Sequence, residues 1–178
     1  MPIVDEASNN GKYSSAAVVV RVSTGEVVAL HCSGDYFKDS DGQVNTATSL
    51  RPAGSTLKPF IAAYALDLGL VTPSTRLLDS PMSVKGYRPA NFDSAYSGRV
   101  MLSDALILSL NIPFVRLVSK LGVESFADKL RELGFKNLND ADSGLGIAIG
   151  NVELSLVELT RAYQKLAGGG GGVFSRES

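Results

Sequence analysis

The sequence predicts an α+β domain: an antiparallel β part first, then a cluster of helices. Three observations predict it. Two β-branched runs flank Ser23-Thr24-Gly25 in "AAVVVRVSTGEVVALHCS", the pattern of a β-hairpin. Over 51–167 apolar residues recur at helical spacing in several separate segments. Glycines and prolines punctuate those segments where helices stop and start.

Taken in order, residues 1–15 are polar and are expected to form a disordered N-terminal segment. The hairpin occupies 16–31. Both of its arms are strongly apolar, so at least one face is expected to be buried. A lone hairpin is marginally stable in water, so further strands are expected beside it, yet none downstream is convincing. Residues 33–50, "SGDYFKDSDGQVNTATSL", read as a loop. The mainly helical part, 51–167, opens with a helix from about Ser55 to Leu68, in which Phe60, Ile61, Tyr64, Ala65 and Leu68 keep one spacing and Gly69 ends it. Pro59 falls where the first turn closes, near the limit of what a helix tolerates. Residues 71–99 are rich in proline and glycine and are expected to be mostly loop. In "LSDALILSLNIPFVRLVSKLG", Ser103 is the expected N-cap of one helix. The pattern breaks at "SLNIP" and resumes as a second helix, Pro113 to Leu121. "VESFADKLRELGF" is an amphipathic helix stopped by Gly134, and "SLVELTRAYQKLAGGGGG" another, stopped by the glycine run. Residues 173–178 are a short tail.

Composition narrows the function classes. The 178 residues are 44% hydrophobic and 20% charged, enough to fill one core, and the net charge of −1 gives no footprint for nucleic acid. The chain has one cysteine, Cys32, and one histidine, His31. An internal disulfide is excluded, cysteines cannot build a metal site, and a Ser-His-Asp triad would have to use His31, which reads as a strand-end filler. No apolar run approaches the about 20 residues that span a bilayer. No signal peptide follows Met1, so an exported protein would be represented here by a piece.

The stretch "RPAGSTLKPF" carries the chemistry. Positions three apart share a helix face, so Ser55 and Lys58 are expected side by side. A serine hydroxyl needs an adjacent base to become a nucleophile. Lysine serves as that base only when burial or a nearby positive end disfavours its ammonium. A helix start also offers N–H groups for an oxyanion, and Gly54 lets a substrate backbone approach closely. An isolated Ser-x-x-Lys is also what an N-cap serine and a solvated lysine would produce. The second element, Ser109-Leu110-Asn111, places two polar residues inside an otherwise apolar stretch. They either cap the break between two helices or are aimed by it into a cleft.

Ser-x-x-K followed about 50 residues later by S-x-N gives two of the three motifs of serine acyl-transferase sites. "RPAGSTLKPF", "GYRPANFDSAYSGRVMLSDALILSLNIPFVRL" and "GNVELSLVELTRAYQKLAGGG", in that order, resemble the transpeptidase domain of class A penicillin-binding proteins, of the 1C type. The resemblance covers 16–172. It implies the penicillin-binding protein/serine β-lactamase-like fold, an antiparallel sheet with a helical cluster. It implies that Ser55 attacks the carbonyl between the terminal D-alanines (D-Ala-D-Ala) of a peptidoglycan stem peptide and that Lys58 is its base. Ser109 would relay a proton, Asn111 and Gly54 would contact substrate, and the Ser55 N–H would form half of the oxyanion hole. β-Lactam antibiotics would acylate Ser55. Neither metal nor cofactor is implied, and the implied location is the periplasmic face of the bacterial inner membrane.

The third motif, K-T-G, is absent: none of the eight lysines is followed by Thr-Gly or Ser-Gly. The expectation is a partial domain whose C-terminal strands lie outside this chain. It is expected to be weak or inactive alone and to form homo-oligomers through the open hairpin edge. A β-lactamase is the alternative serine acyl enzyme, but Glu153 and Glu158 are not convincingly placed to activate a water. A non-catalytic penicillin-binding sensor or scaffold domain is the alternative of another class.

Overall fold

The apolar runs near the N-terminus pair as their alternation predicts. In the computed structural model, which describes residues 15–32, 45–84, 86–138 and 144–168, strand β1 (Ala16–Val20) lies antiparallel to β2 (Val27–Cys32), with Val18 opposite Leu30. The turn between them closes through Arg21, whose N–H donates to the Glu26 carbonyl at 2.8 Å and whose carbonyl accepts from Gly25 at 2.8 Å. The expectation of a buried hairpin face is corrected. No residue of either strand is fully buried, and Val19, Val28 and Leu30 keep 44%, 52% and 46% of their surface. The hairpin is covered in part where β1 lies along the last helix. The expected N-terminal segment, most of the 33–50 loop and the tail fall outside the described residues.

β3 (Arg51–Pro52) leads into a 3-10 turn, Gly54–Leu57, and then helix α1 (Lys58–Asp67). A single helix from Ser55 is therefore not what forms: the chain winds tighter for one turn before opening to α-helical pitch at Lys58. Pro59 falls in the first turn of α1, where its missing N–H costs nothing. α1 is apolar nearly all round because it is the central helix, with Phe60, Ile61 and Ala65 fully buried.

Residues 71–99 hold more structure than their composition suggests. β4 (Arg76–Asp79) pairs antiparallel with β5 (Gly98–Met101), Asp79 opposite Gly98. β5 passes directly into α2 (Leu102–Ile107), so Ser103 lies inside the helix and does not cap it. The first N–H groups of the helix find backbone partners outside it: the Leu102 N–H donates to the Thr75 carbonyl at 2.9 Å and the Ser103 N–H to the Pro73 carbonyl at 3.2 Å. The chain breaks after α2 and resumes as α3 (Ile112–Leu121), followed by α4 (Val123–Leu133), which Gly134 ends at φ +109°. A 3-10 segment, Gly144–Ile149, precedes β6 (Glu153–Leu154), which pairs with β3. α5 (Leu156–Ala167) starts on a capping box: the Ser155 hydroxyl accepts from the Glu158 N–H, and the Glu158 carboxylate accepts from the Ser155 N–H at 3.0 Å.

Among the described residues the strands form three separate two-stranded pairs, two of which the sequence reading missed. One apolar core joins α1, α3, α4 and the 144–149 segment, with Leu57, Phe60, Phe114, Val118, Phe126 and Ile147 at its centre. Phe60 packs edge-on against Phe135 at 5.9 Å and Tyr163 at 4.8 Å. Helices around small strand pairs bear out the α+β class, and the core fixes the start of α1, where the candidate site lies.

Candidate active site

Ser55 lies in the 3-10 turn and Lys58 opens α1. In 3-10 geometry residues three apart eclipse one another, so the tighter turn keeps the pair together. The Lys58 ammonium donates to Ser55 Oγ at 2.9 Å. The two differ in burial: Ser55 is exposed, whereas Lys58 keeps 1% of its surface. Gly54 adopts φ +55°, and no atom lies within 4 Å of where its Cβ would stand, so its face is open to an approaching chain. Behind it the backbone is anchored. The Gly54 N–H donates to the Gly150 carbonyl at 3.1 Å and the Ala53 N–H to Val152 at 2.9 Å. Gly150 has φ +75°, and a Cβ there would collide with the Gly54 carbonyl.

The break between α2 and α3 forms the opposite wall. Ser109 sits at φ +52°, a left-handed setting that costs a non-glycine residue on the order of 1 kcal/mol or more. That setting accompanies a carbonyl oxygen 2.6 Å and a hydroxyl 3.1 Å from Lys58 Nζ. Asn111 Oδ1 accepts from the same nitrogen at 2.8 Å. The side chain of Asn111 does not cap α3; it reaches from Lys58 to the Ala90 carbonyl, to which its Nδ2 donates at 2.8 Å. All five residues singled out in the sequence, Gly54, Ser55, Lys58, Ser109 and Asn111, therefore lie around one point.

Lys58 Nζ has four oxygen neighbours and at most three hydrogens. The Ser109 carbonyl and Asn111 Oδ1 only accept, so they hold two hydrogens in either charge state. The remaining direction faces the Ser55 and Ser109 hydroxyls. An ammonium donates there; a neutral amine presents its lone pair to a hydroxyl hydrogen. Burial lowers the Lys58 pKa to about 8, since desolvation disfavours the charged form. Among the described residues no carboxylate pairs with it to reverse that effect. At pH 7 roughly one molecule in ten then carries the neutral amine.

Two further residues escaped the sequence reading. Asn91 Oδ1 accepts from the N–H groups of Asn111 at 2.8 Å and Ile112 at 3.3 Å. Its Nδ2 donates to Asp79 Oδ1 and to the Ala95 carbonyl, both at 2.8 Å. Both residues are buried. Asparagine and aspartate in a proline- and glycine-rich stretch look like solvated turn residues, and no periodicity marks them. The one signal was that Asn91 falls in the block "GYRPANFDSAYSG"; Asp79 lies outside it and had none. His31 and Cys32 lie in β2, outside this constellation. Among the described residues no three acidic, histidine or cysteine side chains gather as metal ligands.

Comparison with known proteins gives a consistent result. Residues 15–173 match the family model described as the penicillin binding protein transpeptidase domain. Penicillin-binding protein 1C of Escherichia coli (strain K12) is 39% identical over 159 residues, which cover 88% of this chain and 21% of that protein. Penicillin-binding protein 1A of Neisseria lactamica is 33% identical over 183 residues, covering 94% of this chain and 22% of that protein. The crystal structure of penicillin-binding protein 1A from Haemophilus influenzae superposes with a TM-score of 0.74 at 31% identity, over 85% of this chain and 23% of that one. The chain thus spans about a fifth of the length of the curated relatives it matches.

Proposed function

This chain belongs to the penicillin-binding protein transpeptidase domain family, and on that premise we propose that it carries the acylation site of a serine D,D-transpeptidase that crosslinks peptidoglycan. Ser55 is the nucleophile. Neutral Lys58 takes its proton as Oγ attacks the carbonyl between the two terminal D-alanines of a stem peptide. The oxyanion that forms is held in part by the Ser55 N–H at the start of the 3-10 turn. The tetrahedral intermediate collapses as its bond to the terminal D-alanine breaks. The proton on Lys58 reaches the leaving amine through Ser109 Oγ, which lies 3.1 Å from Nζ. Asn111 and Gly54 line the path of the substrate backbone. An amine from a neighbouring stem peptide then attacks the acyl-enzyme, loses a proton by the same route, and releases Ser55 with the crosslink made. The domain that carries the site is 16–172, its site of action is the periplasmic face of the inner membrane, and the exposed hairpin residues Val19, Val28 and Leu30 support self-association along that edge.

One observation carries the reading: a lysine with 1% of its surface exposed stands 2.9 Å from the hydroxyl of an exposed serine. The positions of the two glutamates argue against a β-lactamase. Glu158 is consumed by the capping box of α5, and Glu153 lies exposed in β6. The test is mass spectrometry after prolonged incubation with a penicillin. The expected result is one adduct mapping to Ser55, formed slowly because no lysine is followed by Thr-Gly or Ser-Gly, and lost in Ser55→Ala. An adduct on another residue, or none at saturating penicillin, refutes the proposal.

A further inference from the structure

We infer that Asn91, with Asp79 behind it, is a positioning residue: it holds the Asn111 backbone where the Ala90 carbonyl can fix which end of the Asn111 amide faces Lys58. The inference deepens the reading of Ser55 and Lys58 given above and rests on it. Asp79 is fully buried, and among the described residues no cation pairs with it. It accepts from two neutral donors, Asn91 Nδ2 at 2.8 Å and the Ser97 N–H at 2.8 Å. A buried carboxylate held by neutral donors is a costly way to fill space. It does one thing an apolar residue cannot: it accepts only, so it dictates that the nitrogen of Asn91 points toward it. Asn91 Oδ1 must then face the start of α3, where it takes the N–H groups of Asn111 and Ile112.

The neighbouring residue completes the constraint. The Ala90 carbonyl can only accept, and it takes Asn111 Nδ2 at 2.8 Å. That leaves Asn111 Oδ1, not its NH2 group, toward Lys58 Nζ at 2.8 Å. Residues 90 and 91 together thus set the backbone and the side chain of Asn111. With the amide reversed, two donors would meet and the ordering of the Lys58 hydrogens toward Ser55 would be lost. The groups facing Lys58 are Ser55 from the 3-10 turn, Ser109 and Asn111 from the break, and the Phe114 ring from α3 at 5.9 Å. Asp79, the charged group nearest to this set along the hydrogen bonds, reaches it only through Asn91.

The experiment uses the full chain with Asn91→Ala and Asp79→Asn, and reads three quantities. These are the Lys58 titration by side-chain NMR, the rate of Ser55 acylation by a fluorescent penicillin, and the Tm. Asn91→Ala is expected to move the Lys58 midpoint upward by about one pH unit as water enters the loosened break. It is expected to slow acylation at least about tenfold. Asp79→Asn moves both in the same direction by less. A residue that only holds the fold together lowers the Tm and leaves the midpoint and the rate of the folded protein alone. A folded Asn91→Ala whose midpoint stays in place and whose rate stays within about twofold overturns the inference. Should Asn91→Ala not fold, Asn91→Asp decides against the double variant Asp79→Asn/Asn91→Asp. The first sets two carboxylates face to face, and the second restores a donor between them. Recovery of the midpoint and rate in the double variant supports the inference; its absence overturns it. If the catalytic reading itself is wrong, Ser55 of the unsubstituted chain takes no penicillin, while the Lys58 titration still reports on the Asp79–Asn91 pair.

Discussion

Replacing Asn111 by Asp probes the electrostatics of the site with almost no change of shape. The new carboxylate would stand where Asn111 Oδ1 now lies, 2.8 Å from Lys58 Nζ, against a lysine with 1% of its surface exposed. An opposite charge at that distance favours the charged form by about 1–3 pH units. The Lys58 pKa, held at about 8 by burial, rises toward its ordinary range. Each pH unit of that rise cuts the neutral fraction near pH 7 by about tenfold, so acylation there falls about 10- to 1,000-fold. The loss is of a particular kind, because raising the pH restores the neutral amine. The substitution also removes the Nδ2 donor to the Ala90 carbonyl, which costs about 1–3 kcal/mol at every pH. The assay is the rate of penicillin acylation measured from pH 6 to 11 in both proteins, with circular dichroism at each pH to confirm folding. The expected result is a sigmoid displaced to higher pH in Asn111→Asp, with partial recovery on its alkaline side. An undisplaced midpoint, or a loss of rate equal at all pH values, would refute the assignment of Lys58 as the base.

The remaining predictions touch other parts of the structure. The Lys58 pKa is lowered on folding from 10.5 to about 8, so between those values the unfolded chain binds more protons and stability rises with pH. Below pH 8 the burial cost is present in full, above 10.5 it is gone, and the total is about 3 kcal/mol. Denaturant titration should show that rise in the parent chain and not in Lys58→Met. Burial raises the Tyr87 and Tyr163 pKa values, which lowers stability above pH 10 in both proteins alike. Gly150→Ala forces a Cβ into the Gly54 carbonyl and an alanine into φ +75°. It should cost about 1–3 kcal/mol and slow acylation on the order of a hundredfold, since the turn carrying Ser55 must shift. Ser155→Ala removes the capping box of α5. It should lower stability by about 1 kcal/mol and leave the acylation rate of the folded protein unchanged.

What the sequence disclosed follows from where physical signals are local. The hairpin and the helices α3, α4 and α5 were legible because each carries its own periodicity and its own stops, and α1, apolar nearly all round, through the length of its apolar run and the glycine after it. Ser55 and Lys58 were legible because a spacing of three brings side chains together in either a 3-10 turn or an α-helix, so mistaking the winding at 54–57 did no harm. Ser109 and Asn111 stood out as polar residues in an apolar stretch. The strands β4 and β5, four residues each, are too short to show alternation and exist through pairing with each other. Ser103 resembles a cap, yet β5 runs directly into α2 at Leu102, and the first helical N–H groups, those of Leu102 and Ser103 itself, donate to Thr75 and Pro73, distant in sequence. Asp79 and Asn91 were missed for the same reason: their burial is produced by the segments that close over them, and nothing in the adjacent residues announces it.

The central claim is that folding lowers the Lys58 pKa to about 8, so that a fraction of the neutral amine is present near neutrality, while holding it against Ser55. The most direct measurement is an NMR titration of the Lys58 side-chain nitrogen in the folded chain, its signal assigned by loss in Lys58→Met. A midpoint near 8 is the predicted result. A midpoint at the ordinary lysine value of 10.5 would contradict the account, for the residue beside the serine would then be a cation throughout the working range and no base at all.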